Sequence, residues 1–144
     1  MARFCAYRER CHSEVRSKLL DMGMRGEMLE EVIAELITKD FLNEQRFALE
    51  FVIGKFKALK WGRVKITNEL RRKDVPKRII YEALEQIDEA RYLEVLNELA
   101  QKKYRSLPGR KSLKKKAALQ RFLLGKGFEG ELVRAVVNEL LGQP

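Results

Sequence analysis

The stretch VRSKLLDMGMRGEMLEEVIAEL, Val15–Leu36, decides how the rest of the chain is read. Its apolar residues Val15, Leu19, Met24, Met28, Val32, Ile33 and Leu36 fall at helical spacing around a Met22-Gly23-Met24 turn. Fifty-one residues on, ITNELRRKDVPKRIIYEALEQI repeats the pattern with Ile66, Leu70, Val75, Ile79, Ala83, Leu84 and Ile87. A further fifty-three on, LQRFLLGKGFEGELVRAVVNEL repeats it with Leu119, Leu123, Phe128, Leu132, Val136, Val137 and Leu140. The turns fall in register too, as Lys73-Asp74-Val75 and Lys126-Gly127-Phe128. Self-similarity at this period implies stacked helical units, each too small to bury a core alone. One bundle whose faces match by amphipathicity alone is the competing reading.

Working outward, start and stop residues give about eight helices: 7–22, 27–39, one from Asn43 to about 61, then 63–73, 76–86, 88–104, 112–124 and 129–141. Asn43, Asp88 and Ser112 are read as N-caps, and Pro76 as a first-turn residue. Residues 106–111 form the one clear linker. No strict alternation of apolar and polar residues suggests a strand. The fold expected is all-α: tandem three-helix, helix-turn-helix-like repeats in an elongated, curved array. The units run 1–60, 61–105 and 106–144, the last shortened by a helix.

Composition narrows the chemistry. The 144 residues hold 30 Lys and Arg, 21 Asp and Glu, and 45% apolar residues, which excludes wholesale disorder. No apolar run approaches the roughly 20 residues of a membrane span, and no signal core opens the chain. Cys5, Cys11 and His12 match no zinc spacing, and no Gly-rich phosphate loop is present. With His12 as its single His, the chain is a poor candidate for a catalytic triad. His12 reads as a surface or capping group, and the Glu30-Glu31 and Asp88-Glu89 pairs as solvated helix charges. No enzyme, cofactor or metal is expected, and the expected setting is a reducing cytoplasm.

The charge is uneven. Residues 55–78 carry ten bases against Glu69 and Asp74, and residues 102–126 carry ten bases and no acid. Residues 21–50 and 82–98 each sum to −5. Two basic blocks between acidic helices suggest a polyanion surface, nucleic acid before membrane, although a merely solvated face explains either block alone. The candidate contacts are Lys55, Lys57, Lys60, Arg63, Lys65, Arg71 and Arg72 in the middle unit. Lys114, Lys115, Lys116 and Arg121 follow in the last. Trp61 reads as a core filler at a helix junction, with base stacking its other use, and Tyr104 is open between the same two.

Two segments resemble one family. Lys39-Asp40-Phe41-Leu42-Asn43-Glu44-Gln45-Arg46-Phe47-Ala48-Leu49-Glu50-Phe51-Val52 resembles the first RecX signature, with Asp40-Phe41 and Asn43-Glu44 standing where the family often has Gly-Tyr and two acids. Trp61 to Val75 resembles the second, and Leu119 to Phe128 the third copy. The resemblance spans about residues 7–141. It implies a regulator that binds in the groove of the RecA–DNA filament. It implies inhibition of filament growth, and with it of ATP hydrolysis, strand exchange and the SOS response. DNA binding would be weak and salt-dependent, on single or double strands, by a monomer. Against the resemblance, the N-terminal extension common in the family is expected to be short or missing, since the first repeat lies close to the start of the sequence. The other reading is a helix-turn-helix protein acting directly on nucleic acid. Against it, the second helices of the units are acidic or apolar. A scaffold with solvating charges is the third.

Overall fold

A computed structural model describes residues 1–110 and 112–142. Lys111, of the linker and second basic block, and Gln143 and Pro144, at the end of the third repeat, lie outside the described residues. Nine α-helices form among the described residues: α1 Ala2–Tyr7, α2 His12–Asp21, α3 Gly26–Thr38, α4 Glu44–Gly54, α5 Arg63–Arg72, α6 Lys77–Leu84, α7 Glu89–Ser106, α8 Leu113–Gly125 and α9 Gly130–Leu140. There is no strand among them.

The caps come from local chemistry. The Asn43 carboxamide oxygen accepts from Arg46 N–H at 2.9 Å, Asp88 from Arg91 N–H at 2.9 Å, and Ser112 from Lys115 N–H at 3.2 Å. Each satisfies an N–H that the first helical turn leaves without a partner. The repeat is carried by the turns. Gly23, Asp74 and Gly127 all take left-handed backbone, with φ of 89°, 59° and 96°. In each copy the next N–H returns to the carbonyl five residues earlier: Met24 to Leu19, Val75 to Leu70, Phe128 to Leu123. That is the same helix stop built three times.

Three details differ from the sequence reading. The expected first helix over 7–22 is two, because residues 8–11 are not helical. Cys11 caps α2 there, its N–H donating to the Glu14 carboxylate at 3.1 Å, while the Arg10 guanidinium lies 3.8 Å over the Phe4 ring. The helix expected to run on to Trp61 widens after α4 into a π-helical turn, Lys55–Leu59, and stops where Lys60 turns left-handed at φ 56°. The repeat position assigned to Met28 is 64% exposed, and its neighbour Leu29 is 3% exposed. In the second copy both Ile79 and Ile80 are buried, and in the third Val133 is buried and Leu132 half-buried, so the shift by one is complete only in the first copy.

The chain packs as two compact units, Met1–Ile53 with Asn68–Gln86, and Gly54–Thr67 with Ile87–Pro144. In the first, Cys5, Val15, Leu19, Leu29, Ile33, Leu36 and Leu42 form one buried cluster. In the second, Tyr92 packs its ring 5.7 Å from Phe56 and 5.2 Å from Phe128. Leu96, Leu119, Leu123 and Val137 are fully buried in the same unit. Each such aliphatic contributes about 1.5–3 kcal/mol by leaving water.

Candidate nucleic-acid interface

Two glycines build the core of the site, in the second unit. Gly62 N–H donates to the Lys126 carbonyl at 2.7 Å, and Val64 N–H to the Gly127 carbonyl at 2.9 Å. A Cβ on Gly62 would strike the Gly127 backbone, and one on Gly127 would strike Lys65. The turn before α9 and the start of α5 therefore touch backbone to backbone. This draws Lys126 to the end of the π-helical turn, where its Nζ donates to the Leu59 carbonyl at 2.7 Å.

Trp61 sits at this junction, half-buried. Lys65 Nζ lies 4.5 Å and Lys55 Nζ 5.2 Å from its ring centre. The ring is neither a pure core filler nor an open stacking platform; cations lie against it. Burial, then the charges of Lys65 and Lys60, hold the Lys126 ammonium below its usual pKa. Among the described residues no carboxylate lies within ion-pair reach of Lys60, Lys65 or Lys126.

Arg63, one residue from that cluster, has the opposite environment. Its Nη1 meets the Glu129 carboxylate at 2.8 Å, its Nη2 meets Glu89, and its guanidinium lies 3.8 Å over the Tyr92 ring. Its backbone N–H donates to Tyr92 Oη at 2.9 Å, and the Tyr92 hydroxyl donates to Glu129. Burial, then the Glu129 carboxylate, raises the Tyr92 hydroxyl far above the usual phenol range. The guanidinium is only 24% exposed. It ties the starts of α5, α7 and α9 together.

The other candidates divide by unit. Arg71 and Arg72 belong to the first, where Arg72 is paired with Glu69. Lys57 is exposed in the π-helical turn. In the second unit, Lys115 Nζ lies 4.1 Å over the Tyr104 ring and donates to the Gly109 carbonyl at 3.3 Å. Lys114 lines an open hollow of about 420 Å³ with Leu107, Pro108 and Ala118. Lys116 is half-buried and Arg121 exposed, both on α8.

Two groups with distinctive settings escaped the sequence reading. Lys126 counted only as one charge of a block, although its position in the repeated turn, shared with Lys73, marked it as a helix-stop residue. Glu44 is 6% exposed and accepts the His12 N–H at 3.0 Å, with the imidazole at 3.5 Å. Burial raises its pKa, and the His12 N–H opposes that. His12 is thus a helix-start residue anchored on a buried acid.

Comparison with known proteins gives consistent matches. Residues 43–84 match the family profile described as RecX, second three-helix domain, and residues 89–137 that of RecX, third three-helix domain. These segments open at α4 and α7, whereas the sequence reading opens its units at 61 and 106. A period fixes the spacing of repeats but not the helix at which a unit is said to begin. The chain is 33% identical over 138 residues to "Regulatory protein RecX" of Prosthecochloris aestuarii, covering 96% of this chain and 89% of that one. It is 35% identical over 130 residues to the protein of that name from Clostridium tetani, covering 89% of this chain and 59% of that one. A solved structure, "Crystal structure of RecX from Lactobacillus salivarius", superposes with a TM-score of 0.86 at 24% identity. It covers 96% of this chain and 90% of that one, and is a likeness of fold.

Proposed function

The chain belongs to the RecX family of regulatory proteins, and from that premise we propose that it binds the RecA–DNA filament and inhibits the recombinase. The observation that carries the reading, beside family membership, is the gathering of Lys60, Lys65 and Lys126 at Trp61 in the second unit, with no carboxylate in ion-pair reach among the described residues. The role proposed with it is that of a non-enzymatic regulator in the cytoplasm. Among the described residues no group of His, Cys, Asp and Glu is gathered as a metal site, and no helix is long and apolar enough to cross a membrane.

The physical mechanism is differential binding. A filament offers regularly spaced protomers around a phosphate backbone. Helical units with basic faces gain affinity from both at once, through contacts that each strengthen the other by proximity. Binding shifts the filament only as far as its affinity for an inactive or terminated state exceeds that for the growing one. Lys55, Lys57, Lys60, Lys65, Lys114, Lys115, Lys116 and Arg121 are the proposed contacts in the second unit, with Arg71 and Arg72 in the first. Arg63 contributes through the packing of the second unit. The units near 1–60, 61–105 and 106–144 are the proposed functional repeats.

The test is DNA-dependent ATP hydrolysis by the cognate recombinase on single strands, titrated with this protein. Inhibition well below one copy per recombinase protomer is expected. No effect in large excess at low salt would overturn the proposal.

A further inference from the structure

The cluster of Lys60, Lys65 and Lys126 at Trp61 is more specific than a basic surface. We propose that these three ammonium groups form the seat for one phosphodiester of a nucleic-acid strand, with Trp61 a positioning residue that holds Lys65 in place. The proposal rests on the filament reading and narrows it to one strand contact.

Local geometry supplies the first argument. The cluster exists because the Gly62–Gly127 contact brings residues 60, 65 and 126 to one spot. Lys60 is delivered there by a left-handed residue following a π-helical turn, two features that cost free energy and recur at functional sites. Lys65 is held by its contact with Trp61, and Lys126 by one hydrogen bond to the Leu59 carbonyl. An ammonium has three N–H groups, so Lys126 has two to offer an anion.

Electrostatics supplies the second. Gathering cations without an acid raises the free energy of the empty site, and the charges of Lys65 and Lys60 add to burial in lowering the Lys126 pKa. An anion between them removes that repulsion. The length of the basic track selects the source of the anion. From Lys126 the acid-free segment continues back along α8 through Arg121 to Lys116, Lys115 and Lys114. At 1.5 Å per residue α8 is about 20 Å long. A free phosphate would use one end of it, and a polymer of phosphates can use the whole length.

The experiment uses the full chain. Trp61 is its one tryptophan, so its emission reports on the seat directly. Titration with fluorescein-labelled oligothymidylate is expected to change Trp61 emission in step with the anisotropy of the label. K126Q removes one contact, which lowers affinity about fivefold at 0.1 M salt and flattens the log–log salt slope by about 0.7. K126R keeps both. K60N repeats the loss with a residue that tolerates left-handed backbone, and carries the test if K126Q lowers the far-ultraviolet helix signal. Binding with unchanged Trp61 emission and wild-type slopes in K126Q and K60N overturns the seat and leaves the filament reading standing. An equal emission response to inorganic pyrophosphate overturns the nucleic-acid assignment. A Lys126-dependent response in a protein that fails to inhibit recombinase ATP hydrolysis supports the seat and overturns the filament reading.

Discussion

Arg63 offers the sharpest contrast between a charge in a sequence and a charge in a fold. In sequence it is one of seven candidate contacts in the middle block. In the structure its guanidinium bridges Glu129 and Glu89 and covers Tyr92. Truncation to Ala removes a partly buried charge-assisted hydrogen bond to Glu129, about 1.5–3 kcal/mol by general experience. The exposed Glu89 pair adds about 0–1 kcal/mol, and the ring contact about 0.5–1 kcal/mol. Glu129 keeps its hydrogen bond from Tyr92, which softens the loss. We expect R63A to cost about 2–4 kcal/mol overall. With a urea slope of about 2 kcal/mol per molar, the unfolding midpoint falls by about 1–2 M. R63K keeps the charge but not the planar fork, and should lose about half as much. Its oligonucleotide salt slope should equal that of the wild type. Urea titrations followed by circular dichroism measure the first, and fluorescence anisotropy the second. An R63A midpoint within about 0.2 M of the wild type, together with weakened oligonucleotide binding, would refute the packing role.

Other perturbations give separate tests. G127A forces left-handed backbone on a residue whose new Cβ meets Lys65, whereas G23A imposes a similar φ in open space. G23A should cost about 1–2 kcal/mol and G127A clearly more, read from thermal melts. Leu29→Ala should cost about 2–5 kcal/mol and Met28→Ala under about 1 kcal/mol, which checks the corrected register. Burial raises the Glu44 pKa, so the folded chain takes up that proton at higher pH than the unfolded one does. Its stabilising contribution is absent well above the raised pKa and appears as pH falls through it. The wild type should therefore gain stability relative to E44Q between about pH 7 and about pH 5, by urea midpoints at each. Equal shifts in the two proteins would contradict this.

The repeat was legible because its strongest signal is local. A left-handed stop needs Gly or a tolerant residue such as Asp, and Gly23, Asp74 and Gly127 stand at that stop in all three copies. The caps at Asn43, Asp88 and Ser112 were legible for the same reason. The break before α2 was not, because Cys11 is an unusual cap and its partner Glu14 reads as an ordinary helix acid. The Met28–Leu29 choice was ambiguous because adjacent apolar residues both fit a period of 3.6 residues. The site was legible only as charge. What separates Arg63 from Lys126 is their partners, which lie 26 to 67 residues away in sequence. No local pattern carries that information.

The same distinction shifts weight between the two basic blocks. In the first, Arg63, Arg72, Lys73 and Arg78 already face carboxylates. An anionic strand would compete with those acids for the same groups, and the gain from each contact is reduced by the pair it displaces. In the second block Lys126 has no carboxylate within ion-pair reach among the described residues, and Lys103 and Lys115 lie against the rings of Phe122 and Tyr104. A cation over an aromatic ring keeps its full charge for a phosphate. Affinity for a polyanion should therefore depend on the segment from Lys114 to Lys126, with Lys60 and Lys65 added by the Gly62–Gly127 contact. Such a set neutralises about five phosphates, for a single-strand salt slope of roughly −3.5. The twenty bases counted in the sequence would give a slope several times steeper, and the measured value separates the two accounts.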